Sequence, residues 1–116
     1  MSYVALHSVL KAGREEDYDV VHARIPDDLL DVHRRAGIRD WWIWRSGRDL
    51  FHLVDCDDLP SAFAELDRDP ANERWQAFIG EFVDHLERPA GEPTLPLVWR
   101  MRDQALVDER RRRTTI

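Results

Sequence analysis

Residues 39–56 read RDWWIWRSGRDLFHLVDC, and the architecture follows from how this stretch pairs with itself. Its first part, 39–45, is short and rich in aromatic and β-branched side chains, which suit a pleated, half-buried surface better than a helix. Alternation along a strand puts Trp41 and Ile43 on one face and Trp42 and Trp44 on the other. Ser46 and Gly47 supply turn chemistry, and 50–56 returns as a second strand, so the stretch is expected to form a β-hairpin.

Upstream, residues 3–10 alternate as a strand, with Val4, Leu6 and Leu10 opposed to Ala5, His7 and Val9. Lys11, Ala12 and Gly13 turn the chain into a helical run over 15–36, interrupted at Pro26 because proline removes a donor and strains the preceding turn. Asp27 is placed to cap the second segment, which carries Leu29, Leu30, Val32, His33 and Ala36 and stops at Gly37. Downstream, Asp57 or Asp58 caps a short helix with Leu59, Ala62, Phe63 and Leu66. Asp69 and Pro70 open a longer amphipathic helix on which Trp75, Phe78, Ile79, Phe82, Val83 and Leu86 recur at three- and four-residue steps. After a loop marked by Pro89, Gly91, Pro93 and Pro96, residues 97–101 read as a final strand.

The order strand, helix, strand, strand, helix, strand is the ferredoxin-like β-α-β-β-α-β arrangement, an α+β fold with an antiparallel sheet. Helices cover one face of such a sheet, and the other needs a cover of its own. With aromatic side chains on both faces of 39–45, a second copy of the same sheet is the simplest cover, which predicts a homodimer. One domain is expected over residues 1–102, followed by a polar tail over 103–116 that contains four consecutive arginines, Arg110, Arg111, Arg112 and Arg113, and reads as a solvated terminus.

The 116 residues carry a net charge of −6, which argues against a nucleic-acid partner, since phosphate binding requires a basic face. No secretory pattern or membrane-spanning run is visible, so no membrane partner and a soluble, cytoplasmic protein are expected. The single cysteine, Cys56, falls in a strand and reads as a small buried residue.

Within the helical run, Tyr18 and His22 stand four positions apart, a spacing that puts both on one helix face about 6 Å apart along the axis. Such a pair can address one small ligand, and histidine, with an ordinary pKa of about 6.5, exchanges protons near neutrality. His7, His33, His52 and His85 show no metal-ligand spacing, and Asp55, Asp57 and Asp58 read as a turn and helix cap; no metal is expected.

These residues resemble those of the L-rhamnose mutarotases. The resemblance runs from about Ala5 to Val83 and centres on E-x-Y-x-x-x-H, present as Glu16, Tyr18 and His22; it continues through Gly37, the aromatic strand with Trp41 and Trp44, Leu50 and Phe51, and Arg74 with Trp75. It implies a dimeric α+β barrel, a sugar substrate, no cofactor, a proton-transferring role for His22, and sugar contacts from Tyr18, Trp41, Trp75 and Gln76. Four positions depart from the family pattern: Ala23 and Arg24 stand where Asn-Pro is usual, Trp41 where a tyrosine is expected, and Gln76 where a second tryptophan is expected.

The function expected on these grounds is an aldose mutarotase, an isomerase that interconverts the anomers of L-rhamnose or a related 6-deoxy sugar such as L-fucose. Two alternatives stand beside it: a small cofactor-free oxygenase-like enzyme of the same fold, and a non-catalytic module that binds a small ligand.

Overall fold

The computed structural model describes residues 2–104. Strand β1 (Ser2–Leu10) leads into helices α1 (Glu15–Val21) and α2 (Asp27–Arg35), and strands β2 (Ile38–Ser46) and β3 (Asp49–Cys56) follow. Helices α3 (Leu59–Asp67) and α4 (Pro70–Ile79) then precede strand β4 (Val83–Leu86). The four strands form one antiparallel sheet in the order β2-β3-β1-β4, the ferredoxin-like α+β arrangement.

The hairpin turns at Gly47 and Arg48, between the paired Ser46 and Asp49, and Gly47 takes φ 59°, where a side chain is strained. Pro26 divides α1 from α2 and itself sits at the N-cap of α2 in extended backbone, φ −55° and ψ 140°. Asp27 is therefore inside α2 and does not cap it; Asp28 accepts from the Leu29 N–H at 2.9 Å. Asp58 stands at the N-cap of α3 without a capping bond, while Asp57 receives Arg39 at 2.6 Å. Asp69 does cap α4, accepting from the Ala71 N–H at 2.9 Å.

The fourth strand corrects the expectation from sequence. Helix α4 ends at Ile79, Gly80 closes on the Gln76 carbonyl at 2.9 Å, and Val83 and His85 pair with Leu10 and Val9. Phe82, Val83 and Leu86 extend the helical period only by coincidence, because a four-residue strand is too short to display alternation. Residues 97–101 lie outside the sheet, since the β1 edge is already taken; Leu97, Val98, Trp99 and Met101 are all exposed. Of the expected tail over 103–116, all but Asp103 and Gln104 lies outside the described residues.

The core lies between sheet and helices. Leu6, Leu10, Leu50, Val54 and Cys56 point from β1 and β3 into it, against Leu29, Val32, Leu59, Ala62 and Leu66 from the helices. Fully burying one such leucine contributes roughly 1.5–3 kcal/mol. The opposite sheet face is different. There Trp44, Phe51 and His7 form one cross-strand row and Trp42, Leu53 and Ala5 the next, and Trp44 is 55% exposed, Trp42 37% and Phe51 41%.

Candidate active site

Helix α1 is two turns long and ends at His22, whose backbone N–H closes on the Tyr18 carbonyl at 3.1 Å. The four-residue spacing stacks the two rings, with centroids 4.0 Å apart and planes inclined by 26°. Across from them, Trp75 of α4 meets the imidazole edge-on at 5.3 Å. Three aromatic groups thus converge from two helices that are far apart in sequence.

Tyr18 is 4% exposed and packs with Leu10, Leu50, Ile79 and Phe82. Burial, reinforced by the charge of Asp19, holds its phenol pKa well above the ordinary value, so the hydroxyl stays protonated and keeps its donor hydrogen. His22 is half-buried. Burial lowers its pKa below 6.5, while the nearby Tyr18 carbonyl and the Asp19 charge oppose the shift in part. The imidazole is therefore neutral at neutral pH, the form that accepts a proton. Among the described residues its buried Nδ1 has no hydrogen-bond partner. A buried polar atom left bare is uncommon in native proteins, and at functional sites a ligand can complete it.

On the sheet below, the Trp41 Nε1–H donates to His52 Nδ1 at 3.1 Å, and His52 Nε2 lies 2.9 Å from Ser8 Oγ. Burial, followed by the charges of His22 and His7, pushes His52 down to about 4. Neither Ser8 nor His52 stood out from sequence as a site residue. The available signal was parity, since Ser8 shares a face with Leu6 and Leu10, and His52 with Leu50 and Val54, making each a polar residue on an inward apolar row.

Of the residues expected at the site, Tyr18, His22 and Trp75 come together in direct ring contact. Trp41 lies on the sheet with His52 and also meets His33 edge-on at 5.7 Å. Gln76 is exposed on α4. A cleft of about 600 Å³ opens between the α1–α2 connection and α4, lined by Val21, Ala23, Arg24, Arg74 and Phe78, with Trp75 in its wall. Arg74 bonds Asp28 at 3.1 Å and ties α4 to α2 beside it. Among the described residues no three His, Cys, Asp or Glu side chains come together as a metal site, and no helix is long and apolar enough to cross a membrane.

Fold and cluster together define a ferredoxin-like α+β protein with a candidate small-molecule site where α1, the α1–α2 connection and α4 meet. A family model described as L-rhamnose mutarotase matches residues 3–101. The chain belongs to the L-rhamnose mutarotase family, and is an isomerase acting on carbohydrates. It is 27% identical over 103 residues to the L-rhamnose mutarotase of Burkholderia ambifaria (strain MC40-6), a match covering 85% of this chain and 98% of the relative. Among solved structures it superposes on an L-rhamnose mutarotase from Formosa agariphila with TM-score 0.69 at 16% identity, over 86% of this chain and 98% of that one. It also superposes on tetracenomycin F2 cyclase from Streptomyces glaucescens with TM-score 0.63 at 12% identity, over 86% and 96% of the two chains. At these identities the structural likenesses speak for the fold alone.

Proposed function

We propose that this chain interconverts the α and β anomers of L-rhamnose, or of a related 6-deoxy sugar such as L-fucose, with His22 as the proton-transferring residue. The observation that carries the reading is the neutral, half-buried imidazole of His22 set between the rings of Tyr18 and Trp75. The neutral ring takes the proton from the anomeric hydroxyl as the bond between C1 and the ring oxygen breaks. The imidazolium then returns that proton to the former ring oxygen, leaving an open-chain aldehyde. Rotation about C1–C2 and the reverse steps close the ring on the other face, and His22 ends the cycle as it began. A positioned acid–base group of this kind contributes roughly 10²- to 10⁴-fold.

Tyr18, held protonated, donates to a sugar oxygen. Trp41 and Trp75 offer apolar ring surface to the C–H face of the sugar and its methyl group. Gln76, exposed on α4, is the outer polar contact, its amide serving the hydroxyls nearest solvent.

The working unit in this reading is a homodimer. The exposed Tyr3, Trp42, Trp44 and Phe51 form an apolar face on one side of the sheet, and such a patch is costly to leave in water. A second copy of the same face is self-complementary and covers it. The one cysteine, Cys56, is buried and free, which fits action in the reducing cytoplasm.

Saturation-transfer NMR between the two anomers tests the activity, with L-rhamnose and L-fucose offered separately to the wild-type chain. Enhanced exchange of either sugar is the expected result. Sugar binding without enhanced exchange would make the chain a binding module, and no response to either sugar would return the question to the oxygenase-like alternative.

A further inference from the structure

The hydrogen bonds beneath the site fix more than their distances. Tryptophan can only donate through its indole nitrogen, so the His52 Nδ1 that receives Trp41 at 3.1 Å must be bare. The imidazole proton then sits on Nε2 and is donated to Ser8 Oγ at 2.9 Å. Ser8 is 6% exposed and anchors the ring from β1, while Trp41 reaches it from β2 and His52 itself stands on β3 between them. A chain of directional bonds thus crosses three strands, and its only consistent proton arrangement keeps His52 neutral in a single tautomer.

This chain of bonds lies on the helix-covered face of the sheet, the face on which Leu50 packs against Tyr18. Trp41 and His52 face the helices, and His52 stands on the inward row between Val54 and Leu50, the latter packed with Tyr18. The effect on Trp41 is twofold. The indole is held in one orientation on a side chain that would otherwise rotate, and its one polar hydrogen is consumed, so Trp41 has only apolar ring surface left to offer a ligand.

We infer that His52 is a positioning residue for substrate recognition: by binding the indole N–H it presents Trp41 as a purely apolar wall, selecting a 6-deoxy sugar over the counterpart that bears a 6-hydroxyl. The inference rests on the mutarotase reading and deepens it. A methyl group meets such a wall without loss, whereas a hydroxyl loses its water there and finds no donor in return.

The test measures anomer exchange by NMR across a range of L-rhamnose and L-mannose concentrations, L-rhamnose being the 6-deoxy form of L-mannose. His52→Ala is expected to raise KM for L-rhamnose about tenfold with kcat changed less than about threefold, and to narrow the preference over L-mannose. His52→Asn keeps an acceptor near the Nδ1 position and is expected to restore KM to within about threefold of wild type. His52→Leu fills the space with an apolar group and replaces the alanine variant if that one does not fold. The Trp41 indole N–H resonance, protected from exchange in the wild type, reports the bond directly and is lost in Ala and Leu but kept in Asn.

Wild-type KM and sugar preference in a folded variant that has lost the protected resonance would overturn the inference and leave the mutarotase reading intact. Restoration of the resonance by Asn without restoration of KM would overturn it in the same way. No enhanced exchange by the wild-type chain on either sugar would overturn the underlying reading, and this inference with it.

Discussion

Arg45 grips Asp19 with two parallel hydrogen bonds, Nε to Oδ1 at 2.8 Å and Nη2 to Oδ2 at 2.6 Å. The pair joins β2 to the two-turn helix α1, which carries Tyr18 and leads into His22. A helix this short has little stability of its own, so its orientation depends on such ties and on Tyr18 in the core. Asp19→Asn removes the fork and also the charge that partly supports protonation of His22. It is expected to reduce anomer exchange by about three- to tenfold through misplacement of the imidazole, and to move the acid limb of the pH profile further down. Exchange rates of wild type and variant between pH 4 and 8 check both effects; a variant with unchanged rate and unchanged profile would leave Asp19 without a part in positioning His22.

The pH dependence of the wild type follows from the direction of the His22 shift. Burial lowers its pKa, so the neutral, proton-accepting form persists below pH 6.5. Exchange enhancement should therefore fall on the acid side with an apparent pKa below 6.5, one that coincides with the His22 titration seen by NMR. An acid limb above 6.5 would contradict it.

His52 makes a separate prediction about stability. Its folded pKa is about 4 against about 6.5 unfolded, so both states are neutral above 6.5 and only the unfolded chain takes up the proton between 6.5 and 4. Stability is thus fully present above pH 6.5, declines as pH falls through this window and levels off below 4, a loss of up to about 3 kcal/mol from this group. His22, also lowered, acts in the same direction. Urea unfolding of wild type and His52→Asn across this window checks the point, the variant showing the shallower slope.

The open sheet face predicts the assembly state. Trp44 is 55% exposed in the single chain and stands in a row with Phe51 and His7. Trp44→Glu places a charge where a partner's apolar face would press, and is expected to raise the dimer dissociation constant by about 100-fold or more. Sedimentation at micromolar concentration should show a dimer for the wild type and a monomer for the variant. A monomeric wild type would remove the homodimer.

What the sequence disclosed depended on how far each signal reached along the chain. The hairpin was legible because alternation and turn residues lie within one short stretch, and the split of the helical run at Pro26 was legible for the same reason. The Tyr18–His22 pair was legible as well, since the four-residue helical step alone brings those rings together. Strand β4 was hidden because Phe82, Val83 and Leu86 happen to continue the helical period of α4, while the apolar residues of 97–101 imitate a strand. Contact between His22 and Trp75, and the bond from Ser8 to His52, depend on helix packing and on the β1–β3 register, which no local pattern encodes.

In the proposed mechanism a single imidazole carries the proton. Its most direct measurement is the anomer exchange rate of L-rhamnose, at saturating sugar, for His22→Ala against wild type, with folding of the variant checked by its unfolding transition. A loss of at least about 100-fold in exchange is expected while sugar is still bound. A folded variant that exchanges the anomers within about threefold of the wild-type rate would show that His22 is not the proton carrier.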